Sequence, residues 1–203
     1  MPLLLSSAFF LTAGLLHAPG DSTPAIGPGI SEALARTRAA SITDVRYDLA
    51  LDLTGPDSAL GRVAIGFRRS GHGDVVLDFR GRRLGEVTVN GAGLDRRELR
   101  HGHLILPAAR LRVGENAVAI EFVADIAPSG ASIIRSDDPS DGSTYLYTLL
   151  VPADANQLFP CFDQPDLKAR VRLALTAPAA WSVVTRPAAS PPASPRRRRS
   201  APT

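Results

Sequence analysis

The segment "FPCFDQP" (residues 159–165) is the most distinctive stretch of this 203-residue chain. It lies within "YTLLVPADANQLFPCFDQPDLKA" (147–169), which holds three prolines, three acids, two phenylalanines and one cysteine. Pro160 and Pro165 disfavour the α conformation in the residues that precede them and so stiffen an extended turn. Phe159 and Phe162 can then anchor this turn in apolar surroundings. We therefore predict an irregular, anchored segment rather than a helix or a plain strand.

In most of the rest of the chain, apolar and polar residues alternate with the two-residue period of half-buried strands. In "DVRYDLALDL" (44–53), Val45, Tyr47, Leu49 and Leu51 fall on one face. Further predicted strands are "ALGRVAIGFRRSG" (59–71), "DVVLDFRG" (74–81), "GEVTVNGAGL" (85–94), "GHLILP" (102–107), "NAVAIEFVADI" (116–126), "TYLYTLLV" (144–151), "ARVRLALTAP" (169–178) and "AWSVV" (180–184). Strands at this spacing, without helices between them, predict a mostly β fold, an antiparallel sandwich or barrel-like sheet.

Local signals refine this outline. The dipeptide Asn90–Gly91 predicts a type I′ hairpin. "SEALARTRAASI" (31–42) predicts a short helix with Ser31 as its N-cap and with Leu34 as the one residue large enough to bury much surface. "APSGASIIRSDDPSDGS" (127–143) reads as a polar loop.

The ends of the chain differ in character from its centre. We predict a signal peptide over residues 1–25, because the apolar run 2–16 is short for a membrane span and carries no charge. Residues 26–41 form a linker and the short helix, 42–185 the β domain, and 186–203 a disordered tail rich in Pro and Arg. We expect export to the periplasm or the cell exterior.

Charge argues against a nucleic-acid face. The formal net charge is +3, but the arginine run 196–199 supplies +4, so the rest of the chain carries a formal charge of −1. A basic surface on the fold itself is therefore not predicted. Binding of nucleic acid or anionic lipid by the arginine run is a weak alternative, since no aromatic residue lies within it.

Metal and nucleophile sites have little support. His101 and His103 share one strand face and could grip a metal, but a solvated strand edge is the preferred interpretation, and no third ligand is evident. His17 and His72 belong to no H-E-x-x-H helix. The acids of "SDDPSDGS" do not match a calcium-loop pattern and predict a solvated loop: Asp137, Asp138 and Asp141. Cys161 has no local histidine, and as the single cysteine it excludes an intramolecular disulfide.

The segment 147–169 and the strand after it resemble the N-terminal domain of the aminopeptidase N family of zinc metallopeptidases. The family pattern is roughly Y-x-x-T-Q-F-E-P-x-D-A-R-x-x-F-P-C-F-D-E-P-x-x-K-A, and the resemblance covers residues 40–185. It implies a saddle-like β domain in which residues 147–169 line the pocket for the substrate's amino terminus. The positions in register are Pro152, Asp154, Phe159, Pro160, Cys161, Phe162, Asp163, Pro165 and Lys168, with Ala155 and Ala169.

Two departures from the family pattern limit what the resemblance implies. The family's Gln and Glu, which help to hold the substrate's α-amine, are replaced by Leu149 and Val151, whose aliphatic groups cannot bind an ammonium ion. Either recognition of the amino terminus is altered, or that role is lost. The G-A-M-E-N and H-E-x-x-H motifs of the family's catalytic domain are also absent from the sequence. The match fades near Val184, and the composition that follows favours a truncated or frameshifted product.

We therefore expect an exported N-terminal domain fragment of a zinc aminopeptidase, inactive by itself and without catalytic or metal residues of its own. Its full-length relatives use zinc to polarise the scissile carbonyl and activate water. The implied partner is the catalytic domain of the same polypeptide, and we expect peptide substrates to bind only to the full-length form. We expect no nucleic-acid partner and no stable membrane span. The rival prediction is a stand-alone secreted β binding module without catalysis. Missing final strands would leave an open sheet edge and favour aggregation.

Overall fold

The structure, a computed structural model, describes residues 26–94 and 99–185. The predicted signal peptide and the predicted tail lie outside these residues. Within them, no helix is long and apolar enough to cross a membrane.

Two short helices accompany eleven strands in the described residues. The helices are α1 (Glu32–Ser41) and α2 (Ala155–Leu158), and a 3-10 turn spans Ala108–Arg110. The strands are β1 (Ile42–Asp52), β2 (Ser58–Arg69), β3 (Val75–Asp78), β4 (Arg83–Val89), β5 (Ala92–Gly93), β6 (Leu99–Arg100), β7 (His103–Leu106), β8 (Gly114–Ala127), β9 (Ile133–Asp138), β10 (Ser143–Thr148) and β11 (Ala169–Thr176). The predicted mostly β, largely antiparallel fold is confirmed.

The strands form two sheets around one core. The larger has eight strands with the main order β10-β9-β8-β2-β1-β11, and β4 pairs with both β8 and β5. The smaller has the order β3-β7-β6. Parallel pairing joins β1 to β11 and β8 to β9, and the other strand pairs are antiparallel. One apolar cluster joins buried side chains of both sheets with those of segment 158–162.

The alternation predicted for β1 is present. Val45, Tyr47, Leu49 and Leu51 are buried, and the residues between them are exposed. The hairpin predicted at Asn90–Gly91 is present as well, with φ angles of 50° and 84° that suit a type I′ turn.

The predicted helix is α1. The Ser31 hydroxyl accepts a hydrogen bond from the Leu34 amide at 3.2 Å, as an N-cap residue does. Leu34 is buried as predicted, but Arg38, one turn later on the same side, is buried too.

Two predictions about the sheet are wrong. The polar loop predicted over 127–143 contains β9, which pairs along its whole length with β10, so cross-strand pairing outweighs its weak apolar pattern. The strand predicted at 180–184 is not formed, since residues 181–185 pair with no strand in the described chain. The amide of Trp181 instead closes a turn on the Pro178 carbonyl.

Candidate functional site: the FPCFD segment and its buried anchor

The segment that carries the family resemblance leaves the large sheet and joins the small one. After β10 ends at Thr148, the chain turns, with a cis Val151–Pro152 bond, into the single turn of α2. Phe159 is extended (φ −152°, ψ 154°), as expected for a residue before proline. Cys161 then forms an antiparallel bridge with Asp78 of β3, through N···O distances of 2.8 and 3.1 Å. The segment is therefore irregular and anchored, as predicted.

The two phenylalanines are the apolar anchors. Phe159 packs edge-on against Tyr47 at a centroid distance of 5.4 Å, and Phe162 packs edge-on against Phe67 at 5.5 Å. Both are more than nine-tenths buried, and such T-shaped pairs add to the energy of burial. The Tyr47 hydroxyl also accepts a hydrogen bond from the Phe162 amide at 2.9 Å. Burial raises the pKa of Tyr47 well above its usual value, so this hydroxyl stays neutral.

The polar anchor is Asp78, a buried carboxylate with four donors. The Arg38 guanidinium donates to both carboxylate oxygens at 2.7 and 2.8 Å. Nδ1 of His103 lies 2.8 Å from Oδ1, and the Asp163 amide donates to Oδ2 at 3.0 Å. The Arg38, His103 and Asp78 side chains are each no more than 3% exposed. Since a buried charge requires pairing and hydrogen bonds, this arrangement satisfies Asp78 fully.

His103 and Gln164 extend this anchor to the N-terminal part of the domain. Nε2 of His103 faces the carbonyl oxygens of Gly27 and Gly29 at 3.1 and 2.9 Å, so both ring nitrogens face oxygen acceptors. Gln164 lies 3.4 Å from Arg38 through Oε1, and its amide donates to the Ala35 carbonyl at 3.1 Å. The buried anchor thus ties residues 27–38, the small sheet and the FPCFD segment into one unit.

A second polar group fixes the turn of α2. Asn156 donates from its backbone and side-chain nitrogens to Oδ2 of Asp163, at 2.9 and 2.7 Å. Arg80 donates to the Asn156 side-chain oxygen at 2.7 Å and to Asp154 at 2.8 Å. Partial burial raises the pKa of Asp163, and hydrogen bonds from Asn156 oppose that shift.

Cys161 lies inside this anchored unit and is 3% exposed. Burial raises the pKa of its thiol well above the usual value, and the nearby carboxylates of Asp163 and Asp78 act in the same direction. A neutral, enclosed thiol is a packing residue and not a nucleophile.

Several residues of segment 147–169 remain exposed. Pro152, Pro165 and Lys168 are exposed. Leu149 and Val151, at the positions of the family's amine-binding residues, are 51% and 71% exposed. Tyr145 and Tyr147 precede them on alternate residues and are about half exposed, so an apolar strip runs from β10 into the segment.

Both interpretations of the histidine pair are wrong for His103. It is neither at a solvated edge nor free to bind a metal, because both its nitrogens already face protein oxygens. His101 lies in the β6–β7 turn, with φ 50°. Among the described residues, no group of three or more His, Cys, Asp or Glu side chains could hold a metal ion, so they do not fit a zinc ion.

The acids of the β9–β10 hairpin shape an exposed turn. Asp138 accepts hydrogen bonds from the Ser140 amide and hydroxyl, and Asp141 accepts from the Ser143 amide and the Tyr145 hydroxyl. Asp137 accepts from the Thr144 hydroxyl. These contacts explain the acids as turn-forming residues.

Sequence reasoning missed Arg38 and Asp78, and it singled out His103 but not its role in this anchor. The sequence held a signal for Asp78, because this acid directly follows the apolar run "VVL". All four residues of that strand are buried in the structure. An acid in such a run requires a cation. The identity of its partners was not visible, because Arg38 and His103 lie 40 and 25 residues away in the sequence.

Comparisons with known proteins agree with this geometry. Residues 46–186 match the peptidase M1 N-terminal domain family. Aminopeptidase N from Streptomyces lividans is 34% identical over 166 residues, which cover 78% of this chain and 19% of that protein. A probable M1 family aminopeptidase 1 from Encephalitozoon cuniculi is 30% identical over 119 residues, which cover 58% of this chain and 13% of that protein. The chain thus spans less than a fifth of the length of these relatives.

Solved structures share the fold. The M1 zinc metallopeptidase from Deinococcus radiodurans has a TM-score of 0.53 at 19% identity, with 68% of this chain and 33% of that chain covered. Native leukotriene A4 hydrolase from Saccharomyces cerevisiae has a TM-score of 0.55 at 19% identity, with 67% and 23% covered. The family match spans more than half of the chain. It includes the FPCFD segment, Asp78 and His103, whereas Arg38 and the residues before it lie outside the match. The chain therefore belongs to the M1 peptidase family, as an N-terminal domain.

Proposed function

We propose that this chain acts as the N-terminal domain of a zinc aminopeptidase, in which it forms one wall of the pocket for the substrate's amino terminus. The observation that carries the proposal is the fixed position of the FPCFD segment. It is held by Asp78, Tyr47 and Phe67, whereas Leu149 and Val151, which precede it in segment 147–169, are exposed. A segment that is fixed by buried contacts and still carries exposed side chains suits a preformed pocket wall.

Catalysis in this proposal belongs to the rest of the enzyme. A zinc hydrolase needs three protein ligands and a position for water, and the described residues offer no such group. We therefore expect the 203-residue chain to hydrolyse no peptide alone. Export, proposed from the apolar N-terminal run, would place the enzyme outside the cytoplasm, and cell fractionation with N-terminal sequencing of the mature protein tests it.

A chimera tests the proposed role. The segment of this chain that aligns with Streptomyces lividans aminopeptidase N replaces its counterpart in that relative. We expect the chimera to fold, to retain zinc and to hydrolyse an aminoacyl-p-nitroanilide, with a higher KM than the parent because Leu149 and Val151 cannot bind the α-ammonium. Melting temperature and zinc content separate misfolding from loss of function.

Two results would contradict the proposal. One is a folded, zinc-loaded chimera without any activity, even with Gln and Glu restored at positions 149 and 151. The other is peptidase activity of the purified 203-residue chain.

A stand-alone secreted binding module is the second candidate. The exposed apolar strip formed by Tyr145, Tyr147, Leu149 and Val151 favours it, since such a strip suits an extended apolar ligand. Saturable binding of apolar peptides by the isolated chain, lost in a Leu149→Ser and Val151→Ser variant, would support this candidate.

A further inference from the structure

His103 is a buried histidine whose two ring nitrogens both face oxygen acceptors. Nδ1 lies 2.8 Å from Oδ1 of Asp78, and Nε2 lies 3.1 and 2.9 Å from the carbonyl oxygens of Gly27 and Gly29. A neutral imidazole carries one N–H, so one of its nitrogens would direct a lone pair at these oxygens. The His103 side chain is 3% exposed, so bulk solvent does not relieve such a mismatch. Only the doubly protonated ring satisfies both sides.

Asp78 does not supply the missing proton. Its carboxylate accepts two hydrogen bonds from the Arg38 guanidinium, at 2.7 and 2.8 Å, and one from the Asp163 amide at 3.0 Å. These three donors fit an ionised carboxylate, which is an acceptor only. The carbonyl oxygens of Gly27 and Gly29 also only accept. The network therefore assigns an N–H to each ring nitrogen of His103.

The turn "GPG" (27–29) presents both carbonyls to one side of the ring. Pro28 restricts its own φ, and Gly29 has a φ of 74°, the left-handed conformation that a glycine after a proline adopts in a tight turn. The two carbonyl oxygens then share one ring N–H. Among the described residues, the hydrogen bonds that reach this turn from the rest of the domain come from His103.

Helix α1 is docked by other contacts. Arg38 pairs with Asp78, the Gln164 side-chain amide donates to the Ala35 carbonyl at 3.1 Å, and Leu34 is buried. None of these contacts involves the His103 ring. The turn 27–29 can therefore detach while α1 stays in place.

The groups around His103 decide how it responds to pH. The charged or titratable ones are Asp78 on β3, Arg38 on α1, Arg100 on β6, and Cys161 and Asp163 in the FPCFD segment. The two arginines favour loss of a proton from His103, whereas the Asp78 carboxylate opposes it. An unperturbed imidazole titrates near pH 6.5, whereas a guanidinium stays charged. His103 is thus the cation of this anchor that a rise in pH removes.

We infer that His103 acts as a pH-dependent latch for the turn 27–29. The imidazolium holds both carbonyls of the turn while it donates to Asp78. When one proton leaves to solvent, the remaining N–H stays with the carboxylate, because the charge-assisted bond is the stronger one. Nε2 then directs a lone pair at the carbonyl oxygens and releases the turn. Since the released form binds one proton fewer, a rise in pH favours release and acidification favours docking.

Nuclear magnetic resonance of the full chain tests the latch without a destabilising substitution. At about pH 5.5 we expect two ring N–H signals from His103, one of them with through-space contacts to Gly27 and Gly29, and at about pH 8.5 we expect one. The backbone order parameters of Gly27 and Gly29 should fall over the same interval, from about 0.85 to below about 0.6. That of Ala35 in α1 should stay near its value for rigid backbone.

The matched variants are His103→Gln and, at an exposed histidine, His72→Gln. Because glutamine does not titrate, His103→Gln should abolish the pH response of the turn, and His72→Gln should leave it intact. If His103→Gln does not fold, the spectra of the parent decide alone. A single His103 ring N–H signal at every pH would overturn the proposal, as would two signals with a turn that stays ordered throughout. Release of the turn with rising pH in a folded His103→Gln variant would assign it to another group.

Discussion

The guanidinium of Arg38 and the carboxylate of Asp78 form two hydrogen bonds, of 2.7 and 2.8 Å, inside the domain, although 40 residues separate them in the sequence. Arg38 also lies 5.8 Å above the Phe162 ring, so helix α1, strand β3 and the FPCFD segment meet at this pair. The pair is the centre of the unit that fixes the proposed pocket wall.

Removal of the Asp78 charge should be strongly destabilising. Asp78→Asn leaves the Arg38 cation buried and uncompensated, which costs about 3–5 kcal/mol. We expect this loss in urea unfolding followed by circular dichroism. The matched control is Asp48→Asn, which breaks an exposed 3.0 Å ion pair with Arg172 and should change stability by about 1 kcal/mol at most. Similar losses in both variants would contradict the central role of Asp78.

Phe162 should be the main apolar anchor of the segment. Phe162→Ala removes a buried ring packed against Phe67 and leaves a cavity, for which we expect a loss of about 3–5 kcal/mol. Tyr147→Ala, at a site 52% exposed, should have a small effect on the same unfolding curve. Equal stability of the Phe162→Ala variant and the parent would show that the segment is not anchored through this ring.

Cys161 should be inert in the folded protein. Its burial and raised pKa predict no reaction with a thiol reagent at pH 8 under native conditions and rapid labelling in denaturant. The labelling rate should rise with urea in parallel with the fraction unfolded. Rapid labelling of the native chain would place the thiol at the surface and contradict the packing of the segment.

Asp163 should give the domain a pH dependence of defined sign. Because its pKa is raised in the folded state, its contribution to stability is fully present below its unfolded pKa of about 3.9 and is lost as the pH rises through the folded value. The stability of the parent relative to Asp163→Asn should therefore fall as the pH rises from about 3 to 7.

Asp141 provides the control of opposite sign. Hydrogen bonds lower its pKa, the Tyr145 hydroxyl contributing most, so its contribution is present above the unfolded pKa and is lost on acidification. The stability of the parent relative to Asp141→Asn should rise with pH over the low end of that range. The same sign for both variants would refute the assigned environments.

Local patterns predicted the parts of the fold that local interactions decide. The alternation in β1, the Asn90–Gly91 turn and the Ser31 cap each depend on neighbouring residues, and each is present. Strand β9 was missed because "IIRSDD" has only two adjacent apolar residues, and its pairing with β10 determines its conformation. The Asp78 anchor was missed for a similar reason, since its ion pair forms only when distant segments fold together.

The most direct measurement of the proposed function is the KM of the chimera with Leu149→Gln and Val151→Glu introduced together. If positions 149 and 151 face the substrate's amino terminus, these changes restore acceptors for the α-ammonium and should lower the KM for an aminoacyl-p-nitroanilide about tenfold or more, as expected for a charge-assisted contact. Hydrolysis of the N-acetylated substrate, which lacks the ammonium, should not improve. An unchanged KM for the free-amine substrate in a folded, zinc-loaded chimera would contradict the placement of this segment at the pocket.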